Sequence, residues 1–201
     1  MEKIHLPHRG DECKCRKTGY WWAFWMAALL FPLEFGGGSY FWSLALLADS
    51  WHVLTHLPFY AVAIYAFSRA NKTRSGIFMA DMLLVVALAG IAATPLRFLL
   101  PEVHAEGALA VSVAGLFINM AMFSFAHFMG DENEEDHVHE GVWLHILGDT
   151  AMSAVVVVSL LLMFTELPLS HKGIDAMAAL SINLFLALQA RKLKKKAMRS
   201  H

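Results

Sequence analysis

Charge is the scarce commodity in this chain. Asp, Glu, Lys and Arg make up 16% of its 201 residues, where a soluble domain carries about 25%. Together with 57% hydrophobic residues and a mean hydropathy of +0.49, that shortage excludes a disordered chain and an ordinary cytosolic enzyme. Cysteine is nearly missing too. The only two, Cys13 and Cys15, are separated by one residue, too close for an unstrained bridge, so they read as free thiols and exclude a disulfide-stapled secreted domain. The first apolar run starts near Tyr20 and ends without a small-residue cleavage motif, so no cleaved signal peptide is expected. Short segments alternating between apolar and polar residues are lacking as well, which argues against a transmembrane β-barrel.

Long, continuously apolar runs are what the sequence does have. Six can be placed, at Tyr20–Phe35, Phe41–Phe67, Ile77–Leu100, Gly107–Phe128, Gly141–Thr165 and Gly173–Arg191. Each approaches or exceeds the roughly 20 residues that cross a bilayer as a helix. The expected fold is therefore an all-α integral membrane protein with six transmembrane helices. It divides into a basic cytosolic tail carrying His and Cys (1–19), a transmembrane unit (20–191) with an acidic, His-containing cytosolic loop (129–140), and a basic cytosolic tail (192–201). Gly36-Gly37-Gly38-Ser39 reads as the turn between the first two spans, and Asn71–Ser75 as a short polar loop. Tyr20, Trp21, Trp22 and Trp25 read as an interfacial aromatic belt.

Orientation follows from the basic residues. With six spans, fourteen Lys and Arg fall on the side of the termini and two, Arg97 and Lys172, on the other. By the positive-inside rule both termini are cytoplasmic.

Ionisable groups within apolar spans are costly and mark functional candidates. The second span holds His52 and His56, the fifth His145 and Asp149. Each pair is spaced i, i+4, which leaves two side chains about 40° apart around a helix and about 6 Å apart along it. Two such helices facing each other supply three imidazoles and one carboxylate, a donor set that suits tetrahedral zinc. Asp49 shares the face of His52 and His56. It either fixes an imidazole tautomer from behind or stands as a helix-end carboxylate in a cytosol-facing vestibule; Asn119 in the fourth span is a further candidate for supporting the ligands. Cys13, Cys15, His137 and His139 are candidates for collecting cytosolic metal. The competing readings are a basic tail held near anionic lipid and a plain solvated loop.

These residues carry a resemblance. Glu34–His56, with Ala48-Asp49-Ser50-Trp51-His52 and Thr55-His56 within it, resembles the first two spans of the cation diffusion facilitator zinc transporters. Leu144-His145-Ile146-Leu147-Gly148-Asp149 matches the family's fifth-span motif. Asp81, Gly115–Asn119 and Asp175 are weaker echoes, and the likeness covers about residues 20–195. Two departures stand out. The family usually has Asp at the position of His56, so with neutral imidazoles a bound Zn²⁺ would keep a formal charge of +1. The family also usually continues into a cytosolic ferredoxin-like domain that aids dimerisation, so the chain is expected to be a short member whose homodimer forms through its transmembrane helices.

The resemblance implies a proton-coupled divalent-cation exporter. Zn²⁺ would be the favoured substrate (Cd²⁺ and Co²⁺ the alternatives), H⁺ the counter-ion, the bacterial inner membrane the location, and no prosthetic group or nucleic-acid partner would be involved. The rival reading is a membrane redox protein with haem held between histidines of the second and fifth spans. It accounts for the histidines but not for Asp149.

Overall fold

The computed structural model describes residues 14–66, 72–128, 137–166 and 168–199, with side chains for most of them. Among these there is no strand. Helices α1 (Lys14–Tyr40), α2 (Leu44–Ala66), α3 (Lys72–Ala93), α4 (Ala105–Phe128), α5 (His137–Leu162) and α6 (His171–Arg199) follow one another, and a 3₁₀ turn at Thr94–Leu99 extends α3. Among the described residues, three stretches are long and apolar enough to cross a membrane: Ile77–Leu99, Ala105–Ser124 and His171–Lys195.

The packing places α2 at the centre, in contact with α1, α3, α5 and α6. Helix α4 lies against α1 and α5, and α3 runs along α6. Small residues line the seams. Ala45, Ala48, Ala87, Ala108, Ala178 and Ala179 are all buried, which lets backbones approach closely where lipid supplies no hydrophobic drive between helices. The surface is apolar instead, with Phe78, Val85, Leu88, Phe98, Phe117 and Leu188 all exposed. Glu34, Asp49, His52, His56, Asp149, Arg97, Asp175 and Asn183 are buried. Apolar outside and ionisable inside is the arrangement of a chain solvated by lipid. Trp21, Trp22 and Trp25 lie on that exposed surface near the start of α1.

Several helices outrun the apolar segments that announced them. Helix α1 continues through Gly36, Gly37 and Gly38, so the turn expected there falls later, at Phe41–Ser43. Two of these glycines serve packing. A Cβ at Gly37 would stand 2.8 Å from Val111 Cγ1, and one at Gly38 would stand 2.9 Å from Leu47 Cγ. The actual turn closes with Phe41 N–H donating to Gly37 O (2.9 Å) and Ser43 N–H to Gly38 O (3.0 Å), with Trp42 left-handed at φ 57°. This is a Schellman-type stop with tryptophan where glycine is usual. The segment read as a loop at 71–75 is helical from Lys72. Helix α5 begins at His137, inside the expected 129–140 loop, and the basic tail is helical to Arg199. Polar residues end an apolar run without ending a helix, because the helix beyond the hydrocarbon needs no burial to keep its own hydrogen bonds.

A buried polar junction ties the helix ends together on one side. Asp175, in the first turns of α6, accepts hydrogen bonds from Ser43 Oγ (2.9 Å), Leu44 N–H (2.7 Å) and Ala45 N–H (3.1 Å). It thus caps α2 from another helix, satisfying donors that the helix start leaves orphaned. Arg97 Nε lies 2.7 Å from Asp175 Oδ2, and Arg97 Nη1 donates to Pro101 O at 2.7 Å.

Candidate metal site

Helical periodicity brings His52 and His56 to one face of α2, and α5 presents Asp149 to them. The three side chains are buried, and one donor atom from each lies within 4.8 Å of the others. His52 Nε2 and Asp149 Oδ1 are 2.8 Å apart, within hydrogen-bond distance, and His56 Nε2 lies 3.4 Å from Asp149 Oδ2. Asp149 therefore addresses one oxygen to each imidazole. The rings of His52 and His56 meet edge to face at 4.5 Å, and Tyr60, one further turn along α2, places its ring 5.9 Å from that of His56. Among the described residues this is the one group of three or more His, Cys, Asp or Glu close enough to share a metal ion.

The fourth expected ligand, His145, sits one turn before Asp149 on α5. Its side chain lies outside the described residues, as do those of Cys15, His137 and His139, and Cys13 lies outside them entirely.

Asp49 and Asn119 meet through a residue that the sequence did not single out. Asn119 Nδ2 donates to Ser153 Oγ (2.7 Å), and Ser153 Oγ donates to Asp49 Oδ2 (2.8 Å). Ser153 stands one turn beyond Asp149 on α5, so the chain of hydrogen bonds fastens α4, α5 and α2 just beside the histidines. Ser153 carries no sequence signal, since serine is ordinary in a membrane helix. Glu34 did carry a signal of its own, an ionisable group in an apolar span. It is fully buried on α1, against Gly115 of α4.

Chemically, the group offers imidazole nitrogens and a carboxylate oxygen in a water-poor interior, with no thiolate or thioether among its members. Such a set suits a borderline divalent cation. The chain matches the model of the cation efflux transmembrane domain over residues 20–200, and it belongs to that family. It is accordingly an integral membrane protein of a family whose members transport divalent cations rather than act as enzymes.

Proposed function

We propose that this protein exports Zn²⁺ in exchange for protons, using His52, His56, His145 and Asp149 as the transport site. The observation that carries the reading is the meeting of His52, His56 and Asp149 across α2 and α5 in a buried position. Four ligands at about 2.0–2.1 Å around tetrahedral zinc stand about 3.3–3.4 Å from one another. The 3.4 Å between His56 Nε2 and Asp149 Oδ2 already has that spacing, and one donor atom of His52 lies within 4.8 Å of both partners. A carboxylate lying against both imidazoles favours a small cation over haem iron, whose axial ligands stand on opposite faces of a macrocycle.

Six helices of 22 to 29 residues are long enough for six spans at about 1.5 Å rise per residue. The fourteen-to-two division of Lys and Arg then favours cytoplasmic termini; a bacterial inner membrane and a homodimer through the helices complete the proposal. Alternating access would expose the site first to the cytosol and later to the outside. Moving a doubly charged ion outward against 100 mV costs about 4.6 kcal/mol, which inward protons offset. Imidazole ligands suit this exchange because metal and proton compete for the same nitrogen.

The test is transport in proteoliposomes across a panel of Zn²⁺, Cd²⁺, Co²⁺ and Mn²⁺, with and without a pH gradient. Zinc flux that rises with an acidic trans side, and that disappears in H52A/D149A, is expected. Undiminished zinc flux in that double variant overturns the site.

A further inference from the structure

Glu34 is a carboxylic side chain in the protein interior with no solvent exposure, and neither of its oxygens has a hydrogen-bond partner among the described residues. Its Oε1 occupies the space where a Cβ at Gly115 would stand, so α4 makes room for the carboxyl group. Asn119, one turn further along α4, is buried with its Oδ1 likewise unpartnered. Among the described residues, the titratable groups that bear on Glu34 are Asp49 from α2 and Asp149 from α5. Asp49 Oδ1 too is unpartnered among the described residues. The basic side chains that form ion pairs among the described residues are engaged elsewhere: Arg97 with Asp175, Lys194 with Asp81 and Lys172 with Glu102.

Two readings of such a carboxyl group compete. A divalent cation requires three or four donors, and among the described residues Glu34 belongs to no group of three ligating side chains close enough to share one. A proton requires a single oxygen. Buried near other carboxylates and with no cationic partner among the described residues, a carboxyl group is far less costly to keep neutral than ionised. Arrival of a doubly charged ion at His52, His56 and Asp149 reverses that balance, because a cation close by favours the ionised form.

We propose that Glu34 is a proton-carrying residue of the exchange, holding a proton while the cation site is empty and releasing it when a divalent cation binds. This rests on the reading of His52, His56 and Asp149 as the cation site. In the step itself the Glu34 O–H bond breaks, its electron pair stays on the carboxylate, and the proton passes to water on the side from which the metal entered. One negative charge is gained beside two positive ones. On the opposite side the metal leaves and Glu34 takes a proton from that compartment.

The experiment uses the full chain in detergent with zinc chloride as the probe. Protons released per zinc bound are counted in weak buffer, and the infrared difference spectrum is recorded in parallel. The wild type is expected to lose a protonated-carboxyl band on zinc addition. E34Q should bind zinc at the same stoichiometry, lack that band and release about one proton fewer per ion. E34Q that binds zinc with the band and the proton count unchanged overturns the proposal while leaving the cation site standing. A wild type that binds no zinc overturns the cation site and the proposal with it. Should E34Q fail to fold, E34D decides: a band shifted in frequency supports the assignment, and an unshifted band overturns it.

Discussion

Arg97 and Asp175 form an ion pair with no solvent exposure on either side chain, Nε to Oδ2 at 2.7 Å. A buried pair is costly to assemble and costlier to break, because the surviving partner keeps its charge without compensation. Asp175→Ala is therefore expected to destabilise the protein by about 3–5 kcal/mol, read as a lowered unfolding midpoint in a detergent titration. Asp175→Asn should lose less, since an amide oxygen still accepts from the α2 start. Lys172→Ala, which breaks the looser 3.7 Å contact to the exposed Glu102, should change stability by less than about 1 kcal/mol.

Asp149 serves both imidazoles, so its loss should damage zinc binding more than the loss of a residue that merely supports a ligand, which typically costs 10–100-fold. Asp149→Ala is expected to weaken zinc binding beyond about 100-fold by that comparison, measured by competition with a chelating dye. An Asp149→Ala protein that binds zinc as the wild type does would remove the carboxylate from the ligand set.

His56→Asp exchanges a neutral ligand for an anionic one. It is expected to retain zinc binding, with the affinity-versus-pH curve moved to lower pH, because carboxylates give up their protons in more acidic solution than imidazoles do. Isothermal titration at several pH values reads the displacement, and a curve moved to higher pH contradicts the assignment.

Ser153 is both acceptor from Asn119 and donor to Asp49. Ser153→Ala strands two buried polar groups at about 1–3 kcal/mol each, so the unfolding midpoint should fall while zinc remains bound. Ser153→Thr, which keeps the hydroxyl, should recover part of the loss.

Gly90 and Gly36 make a contrasting pair. A Cβ at Gly90 would collide with the Asn183 amide, whereas one at Gly36 meets nothing within 4 Å. Gly90→Ala is expected to cost about 1–3 kcal/mol through overpacking. Gly36→Ala should gain about 0.5–1 kcal/mol of helix stability. Thermal unfolding of the two variants should move in opposite directions.

How much of this was legible depended on whether the signal was local. The pair His52/His56 was readable because helical period alone puts it on one face, and the structure brings His52, His56 and Asp149 together. The glycine run 36–38 misled because glycine marks turns in water, whereas here Gly37 and Gly38 admit Val111 and Leu47. Arg97 was read only for the side of the membrane it marks, and Asp175 as a faint motif echo. Their union joins positions 78 residues apart, and no local pattern announces such a partner. Glu34 was within reach: the rule that singled out His52 applied to it equally.

The cap that Asp175 places on Leu44 and Ala45 has a mechanical meaning. It pins the first turn of α2 to α6, so any tilting of α2 swings about that end as a lever does about its pin. His52 lies about 12 Å from the pin and Ala66 about 33 Å, at 1.5 Å per residue. A swing of about 10° would carry the histidines by about 2 Å and the far tip by nearly 6 Å on that same rise per residue. The ligands would shift by little more than a bond length while the opposite mouth moved by the width of a water molecule or two.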